Sequence, residues 1–360
     1  MVADEHERDR WAPERLSDRA ARADARADRD LAAAATDFLL PDEARLNDRT
    51  RHGMAALVRG TIDAVETAVR HHAARLLAER GATERAEALL RGRTDVTARL
   101  LRGGLLRDPD MMAELLARVR QDGLAAALPP APAVADQPSL VVRLAAAPDA
   151  VVARAAAALL VADNRRRDAA ERAAESGGEL PAELHHRLVW WVAAAIRDPH
   201  DHGTDLAIAE AALRAVAAHD EDERADAVAM RLAAAIAPNP RELPDLLVEA
   251  LADRRVGLFT ALVAHAAGLP HEAVRAVTLE PGGDRLWLAL RAIALDRATI
   301  ARIALALAEA DPTRDIDAFA DQLDAIMAVD PVAARAALLP LTLHADYRAA
   351  IRALARSEAG

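Results

Sequence analysis

Two residue types are missing from this chain altogether. No cysteine occurs among its 360 residues, which removes thiol nucleophiles, disulfides, thiolate zinc sites and iron–sulfur ligation. Lysine is absent too, since all 46 basic residues are arginine. Schiff-base catalysis, pyridoxal attachment and phosphate loops ending in Gly-Lys are excluded with it. Three Phe, four Trp and one Tyr leave little material for stacking on sugars or unstacked bases. The four serines, Ser17, Ser139, Ser176 and Ser357, form no Gly-x-Ser-x-Gly elbow. The pairs Gly103-Gly104, Gly177-Gly178 and Gly282-Gly283 are isolated and read as helix ends rather than as a dinucleotide fingerprint. Apolar runs are broken by Arg or Asp well before about 18 residues, and Met1 to Arg10 is charged. The expectation is a cytoplasmic protein with no signal peptide, membrane span or cofactor.

What the chain does contain is alanine, 94 residues of it, within a composition that is 52% hydrophobic and carries a net charge of −11. The charge is uneven: residues 201–360 hold 25 acidic side chains against 16 arginines. A duplex-binding surface shows as a basic stripe, so this bias argues against nucleic acid there and fits a protein partner or plain solubility.

Residues 1–47 are set apart as a charged Ala/Arg/Asp-rich segment, of which 1–35 hold almost no large apolar side chain and read as a solvated helix or frayed tail. From Asp48 the period changes. Met54, Leu57, Val58, Ile62, Val65, Val69, Leu76 and Leu77 recur at three and four, predicting one long helix with a left-handed cap at Gly81. Short helices with regular punctuation follow. Asp108-Pro109, Asp198-Pro199, Asp311-Pro312 and Asp330-Pro331 pair a capping side chain with a proline at the first helical position, and Ala147-Pro148, Leu180-Pro181 and Leu269-Pro270 are looser versions. The acidic run Asp220 to Glu223 reads as a helix start. Strand signals are nearly absent. Pro109 to Pro148 and Pro199 to Pro238 are each 39 residues apart, near the period of two-helix repeats.

These marks predict an all-α protein without a sheet, its helix pairs stacked in a HEAT-like curved array. The expected blocks are 48–128, a proline-rich linker at 129–138, middle repeats at 139–237 and C-terminal repeats at 238–360. The run Asp95-Val96-Thr97-Ala98-Arg99-Leu100-Leu101 with Leu105-Leu106-Arg107-Asp108-Pro109-Asp110-Met111 resembles the first repeat of domain of unknown function 2336. Leu159 to Arg165 is similar to that family as well, as is Leu258-Phe259-Thr260-Ala261-Leu262 with Ala267-Gly268-Leu269-Pro270 and Glu280-Pro281-Gly282-Gly283. The resemblance spans Asn47 to Ala310 and implies an all-helical, HEAT-like stack in a set of uncharacterised bacterial proteins. It supplies no catalytic residues.

Several residues invite chemistry, each beside a plainer reading. Asp198, His200, Asp201 and His202 gather metal-ligand types in one loop, where capping and turn roles are the ordinary use of the same residues. His71-His72, followed by Arg75, resembles the phosphorylated helix of histidine phosphotransfer bundles, but Leu76 stands where a small glycine is wanted. His72 also falls on the apolar stripe with Val69 and Leu76 and is expected half-buried. Trp190 and Trp191 point about 100° apart on one helix. Trp191 fits the stripe of Leu184, Leu188 and Ile196, leaving Trp190 at the edge, against a neighbouring helix or as a partner anchor. Arg165, Arg166 and Arg167 form the only compact basic cluster, flanked by Asp163 and Asp168, and read as a solvated helix end or a partner contact. The sequence therefore points to a non-enzymatic interaction or regulatory scaffold with a protein partner, self-associating through the helix at 48–80. A nucleic-acid-binding repeat protein is the alternative, followed by a histidine phosphotransfer or metal-dependent enzyme.

Overall fold

Aspartate caps six of the described helices. In the computed structural model, which describes residues 45–92, 95–129, 138–172, 179–198, 201–344, 346–348, 350–351 and 354, Asp95, Asp108, Asp149, Asp296, Asp315 and Asp330 accept hydrogen bonds from backbone N–H groups two or three residues on. Each fills donors that a helix leaves orphaned, worth about 1 kcal/mol apiece. The Asp-Pro start is seen at Asp108-Pro109 and Asp330-Pro331. Asp311-Pro312 instead opens a turn in which Asp311 holds Thr313, and the next helix is capped by Asp315. Gly283, at φ +71°, begins a helix rather than ending one. The acidic run folds into one 3-10 turn, Glu221–Glu223, ahead of the helix it was expected to start.

The chain divides into two compact units, Met1–Arg51 and His52–Gly360. The predicted N-terminal segment, apart from residues 45–47, and most of the proline-rich linker lie outside the described residues. Among those described, every regular element is helical. The long first helix, α1 (Asp48–Glu79), buries Met54, Val58, Ile62, Val65, Val69 and Leu77 as the spacing predicts. Gly81 ends it at φ +77°, with the Ala82 N–H donating to the Leu77 carbonyl.

Then come α2 (Thr83–Arg91), α3 (Val96–Gly103), α4 (Pro109–Ala127), α5 (Leu140–Ala145), α6 (Ala150–Arg172), α7 (Ala182–Ile196) and α8 (Asp205–Ala217). They are followed by α9 (Ala225–Ile236), α10 (Leu243–Ala252), α11 (Val256–Ala267), α12 (His271–Thr278), α13 (Asp284–Ala292), α14 (Arg297–Ala310), α15 (Ile316–Ala328) and α16 (Pro331–Leu338). Consecutive helices pack as couples at α5/α6, α7/α8, α10/α11, α11/α12 and α14/α15. Helices two apart also touch, at α9/α11, α11/α13 and α13/α15. In addition α4 packs on α11 and α14, contacts that a strictly linear stack, where each repeat meets only its neighbours, does not make.

The apolar side chains gather into two clusters. One runs from Leu124 and Leu128 at the end of α4 through α5, α6 and α9 to α16, with Phe259, Leu262, Leu286 and Ile300 fully buried. The other joins α1, α2, α3, the start of α4, α7 and α8, around Ile62, Val69, Leu100 and Leu188. Helix α4 enters both, giving Met111 and Leu115 to one and Leu124 to the other. Its middle turns carry buried polar side chains instead. No single helix among the described residues is long and apolar enough to cross a membrane; Ile316–Ala328 with Pro331–Thr342 reaches that length only across a 106° bend.

Candidate functional site

Between the two apolar clusters lies a network of buried charge. Glu114, Arg118 and Gln121 follow one another at helical spacing on the inner face of α4, each less than a tenth exposed. Arg275, from α12, reaches Glu114 with both terminal nitrogens, one of them at 3.1 Å, and Asp226, from the first turn of α9, at 3.0 Å. Arg224 lies 3.9 Å from both Glu114 and Asp226 and donates from Nε to the Glu179 carbonyl at 3.1 Å. Arg118 closes the array on Glu179, at 2.8 Å to its carboxylate and 3.1 Å to its carbonyl. His271 Nδ1 stands 3.9 Å from Asp226.

Burial alone would raise the Asp226 carboxyl, but His271, Arg275, Arg118 and Arg224 together hold it below its ordinary 3.8. Burial pushes the His271 imidazole below its ordinary 6.5 despite Asp226, with Arg275 adding to that direction. The folded imidazole therefore binds fewer protons than the unfolded one. Its stabilisation is complete above about pH 6.5 and is lost as pH falls through the lower folded value. Urea unfolding of the wild type should show decreasing stability from pH about 7.5 to 5.5. His271→Gln should flatten much of that slope; an unchanged slope would mean that His271 titrates as if exposed. His72 contributes in the same direction, lowered by burial and then by Arg214 and Arg75.

One side of the network opens on a cleft of 520 Å³ between α4, α6, α9 and the turn joining α10 to α11. Gln121, Asp122, Asp163, Arg166, Asp226 and Arg254 are among its lining. Most of its charges are matched: Arg166 pairs with Asp122, Arg255 with Asp163, and Asp253 accepts the Leu140 N–H at 2.5 Å. Two groups are not. The Gln121 Oε1 atom is buried with no hydrogen-bond partner among the described residues. Arg254 is exposed at the rim and pairs with no described carboxylate. Its backbone is left-handed, φ +59°, in a turn where the Arg255 N–H donates to the Ala250 carbonyl, a position that ordinarily takes glycine.

The residues singled out from the sequence fall elsewhere. Arg166 does line the cleft, and Arg165 bonds Glu223 at 2.6 Å, so both are tied into ion pairs; the Arg167 side chain lies outside the described set. Trp191 departs from expectation, while Trp190 lies against neighbouring apolar side chains as one of its two readings held. The buried face of α7 is Leu184, His185, Leu188, Val189, Val192 and Ile196. Neither tryptophan belongs to that face: Trp190 is half-buried against the same apolar cluster and donates to His186 at 3.1 Å, while Trp191 is 38% exposed against Gly103 of α3. Leu184, Leu188 and Ile196 are buried as the spacing predicts, and the buried arc extends toward His185 and Val189 rather than toward Trp191.

In the metal-type loop, His200 lies outside the described residues. Asp201 caps the turn at Gly203, and His202 Nδ1 lies 2.6 Å from Arg197 and 3.1 Å from Asp205. Among the described residues no three metal-ligand side chains converge. His71 is exposed and His72 half-buried on α1, as the stripe implied for His72. Glu114, Arg118, Asp226, His271 and Arg275 were missed, although three polar residues on the core stripe of α4 were a readable sign.

No curated protein and no solved structure matches the chain. A family model described as "Uncharacterised protein conserved in bacteria (DUF2336)" matches residues 120–339, a span that contains every residue lining the cleft. Two of the three stretches that resembled the family, at Leu159 and at Leu258 to Gly283, lie inside it, and Asp95 to Met111 precedes it. With more than half its length matched, the chain belongs to this family of uncharacterised bacterial proteins.

Proposed function

We propose that this chain is a non-enzymatic interaction scaffold whose helices stack in HEAT-like couples and whose partner is a protein. The packing of neighbouring helices, and of helices two apart from α9 to α15, supports the stacking. One observation carries the partner: a row of exposed apolar side chains at the C-terminal end. Val332 is 74%, Leu339 58%, Leu343 41%, Tyr347 60% and Ile351 45% exposed. They recur at intervals of seven and four residues across α16 and the turn and helical residues after it, and gather more closely along the chain than the other exposed large apolar side chains, among them Val151, Leu206, Leu213 and Leu305. The ion pairs at Arg165 and Arg166 and the acidic bias of residues 201–360 favour a protein over nucleic acid.

The test uses the full chain as bait in cross-linked bacterial cells, beside a Leu343→Glu, Tyr347→Glu double variant. Partners should be lost from the variant by tenfold or more, with an unchanged circular-dichroism melt. Sedimentation of both proteins shows whether the partner is a second copy. Equal recovery of the same proteins on both baits, with no difference in sedimentation, would remove this surface from the account.

A further inference from the structure

Opposite charges flank the exposed apolar row at the C-terminal end, one sign before it and the other after. Residues 315–334 carry five aspartates and no arginine, whereas residues 335–356 carry four arginines against Asp346 alone. The acids are available to a partner. Asp317, Asp321 and Asp324 follow one another on α15 at steps of four and three, all exposed. Asp317 and Asp321 point away from the buried Phe319 and Leu323 of the same helix. Asp324 meets Arg297 in an exposed pair, and Asp317 and Asp321 pair with no described arginine. The acidic helix and the start of the row share one support, since α15 and α16 both pack on α13 with a bend of 106° between them.

That order of charge selects the occupant. A strip that runs acid, apolar, base is its own complement: turned end for end about a two-fold axis, the apolar rows meet and each basic end runs to the other's acidic end. Two copies of so acidic a half, with 25 acidic side chains against 16 arginines over residues 201–360, otherwise repel one another. An anionic membrane would be repelled by the aspartates beside the row. The size also fits. The five exposed side chains of the row offer on the order of 500 Å² of apolar surface, near the largest patch that monomers leave open. With its charged ends the strip approaches the ~800 Å² that each partner of a standard interface buries. We propose that this strip is an isologous interface on which a second copy of the chain docks antiparallel. The proposal rests on the reading of the row as a protein-binding surface and names the protein.

Sedimentation of the full chain from about 1 to 200 µM tests the association, and a reversible dimer with a Kd on the order of 10 µM is expected. Two charge-reversed chains test the orientation. Asp321→Arg with Asp324→Arg makes both ends of the strip basic, and Arg352→Asp with Arg356→Asp makes both acidic. Each alone should dimerise about tenfold or more weakly, because like charges then face each other. Their equimolar mixture should associate about as tightly as the wild type, since every acid again faces a base. Circular-dichroism melts show that each reversed chain is folded; where one is not, Asp321→Asn with Asp324→Asn or Arg352→Gln with Arg356→Gln replaces it and should weaken the dimer without restoring it in the mixture. A wild type that stays monomeric at about 200 µM, far above the expected Kd, overturns the proposal. So do dimers indifferent to both reversals, or folded reversed chains that ignore each other when mixed. A monomeric wild type whose cross-linked partners are still lost from the Leu343→Glu, Tyr347→Glu variant removes the second copy and leaves the protein-binding reading standing. A monomer that pellets with phosphatidylglycerol vesicles, and less so in that variant, overturns both.

Discussion

Glu114→Ala should lower the unfolding free energy by about 3–5 kcal/mol in urea titration at pH 7.5, a loss typical of removing one partner from a buried ion pair. The reason is what remains. The Arg275 side chain is 9% exposed, yet it loses the carboxylate that received both of its terminal nitrogens and keeps its ion pair with Asp226. Arg224, 3.9 Å from the same carboxylate, loses a neighbour as well. A buried cation short of acceptors is far costlier than a missing contact. Glu114→Gln preserves the shape and one acceptor and should cost less, about 1–3 kcal/mol. If Glu114→Ala changes stability by less than about 1 kcal/mol, the pair is solvated in solution and does not bind α4 to α12.

The second large effect is expected at adjacent glycines that behave oppositely. Gly283 sits at φ +71°, and a Cβ there would fall 2.8 Å from Cζ2 of Trp287, whose ring packs on Phe319 at 4.7 Å between centroids. Gly283→Ala therefore combines left-handed strain with overpacking and should cost about 2–4 kcal/mol. At Gly282 an added Cβ meets nothing within 4 Å and no left-handed backbone is required. Gly282→Ala should change stability by no more than about 0.5 kcal/mol. Comparable urea midpoints for the two variants would show that the turn relaxes around Trp287.

How far the sequence could be read follows from which signals are local. The long helix α1, its Gly81 cap and the starts at Asp108 and Asp330 depend on residues within a turn or two of one another, and all were legible. Asp311 misled because the same side chain can start a turn as readily as a helix, and Pro312 fits both. Trp191 was misplaced because the arc that α7 buries is set by which helices cover it, α3 and α8, and spacing along one helix does not contain that choice. The cleft was out of reach for a stronger reason. Gln121, Asp226 and Arg254 come from three segments up to 133 residues apart, and only the packed fold brings them together. Helical stacking is a local habit of this chain; its candidate site is a product of tertiary contact.

Helix α4 has one end seated among apolar side chains of each cluster and a buried ionic joint at its middle. Such a beam lets either half breathe without dragging the other open. In deuterium, slow amides would then sort into two cohorts with separate opening energies, and acidifying the joint would bring the pair closer to independence.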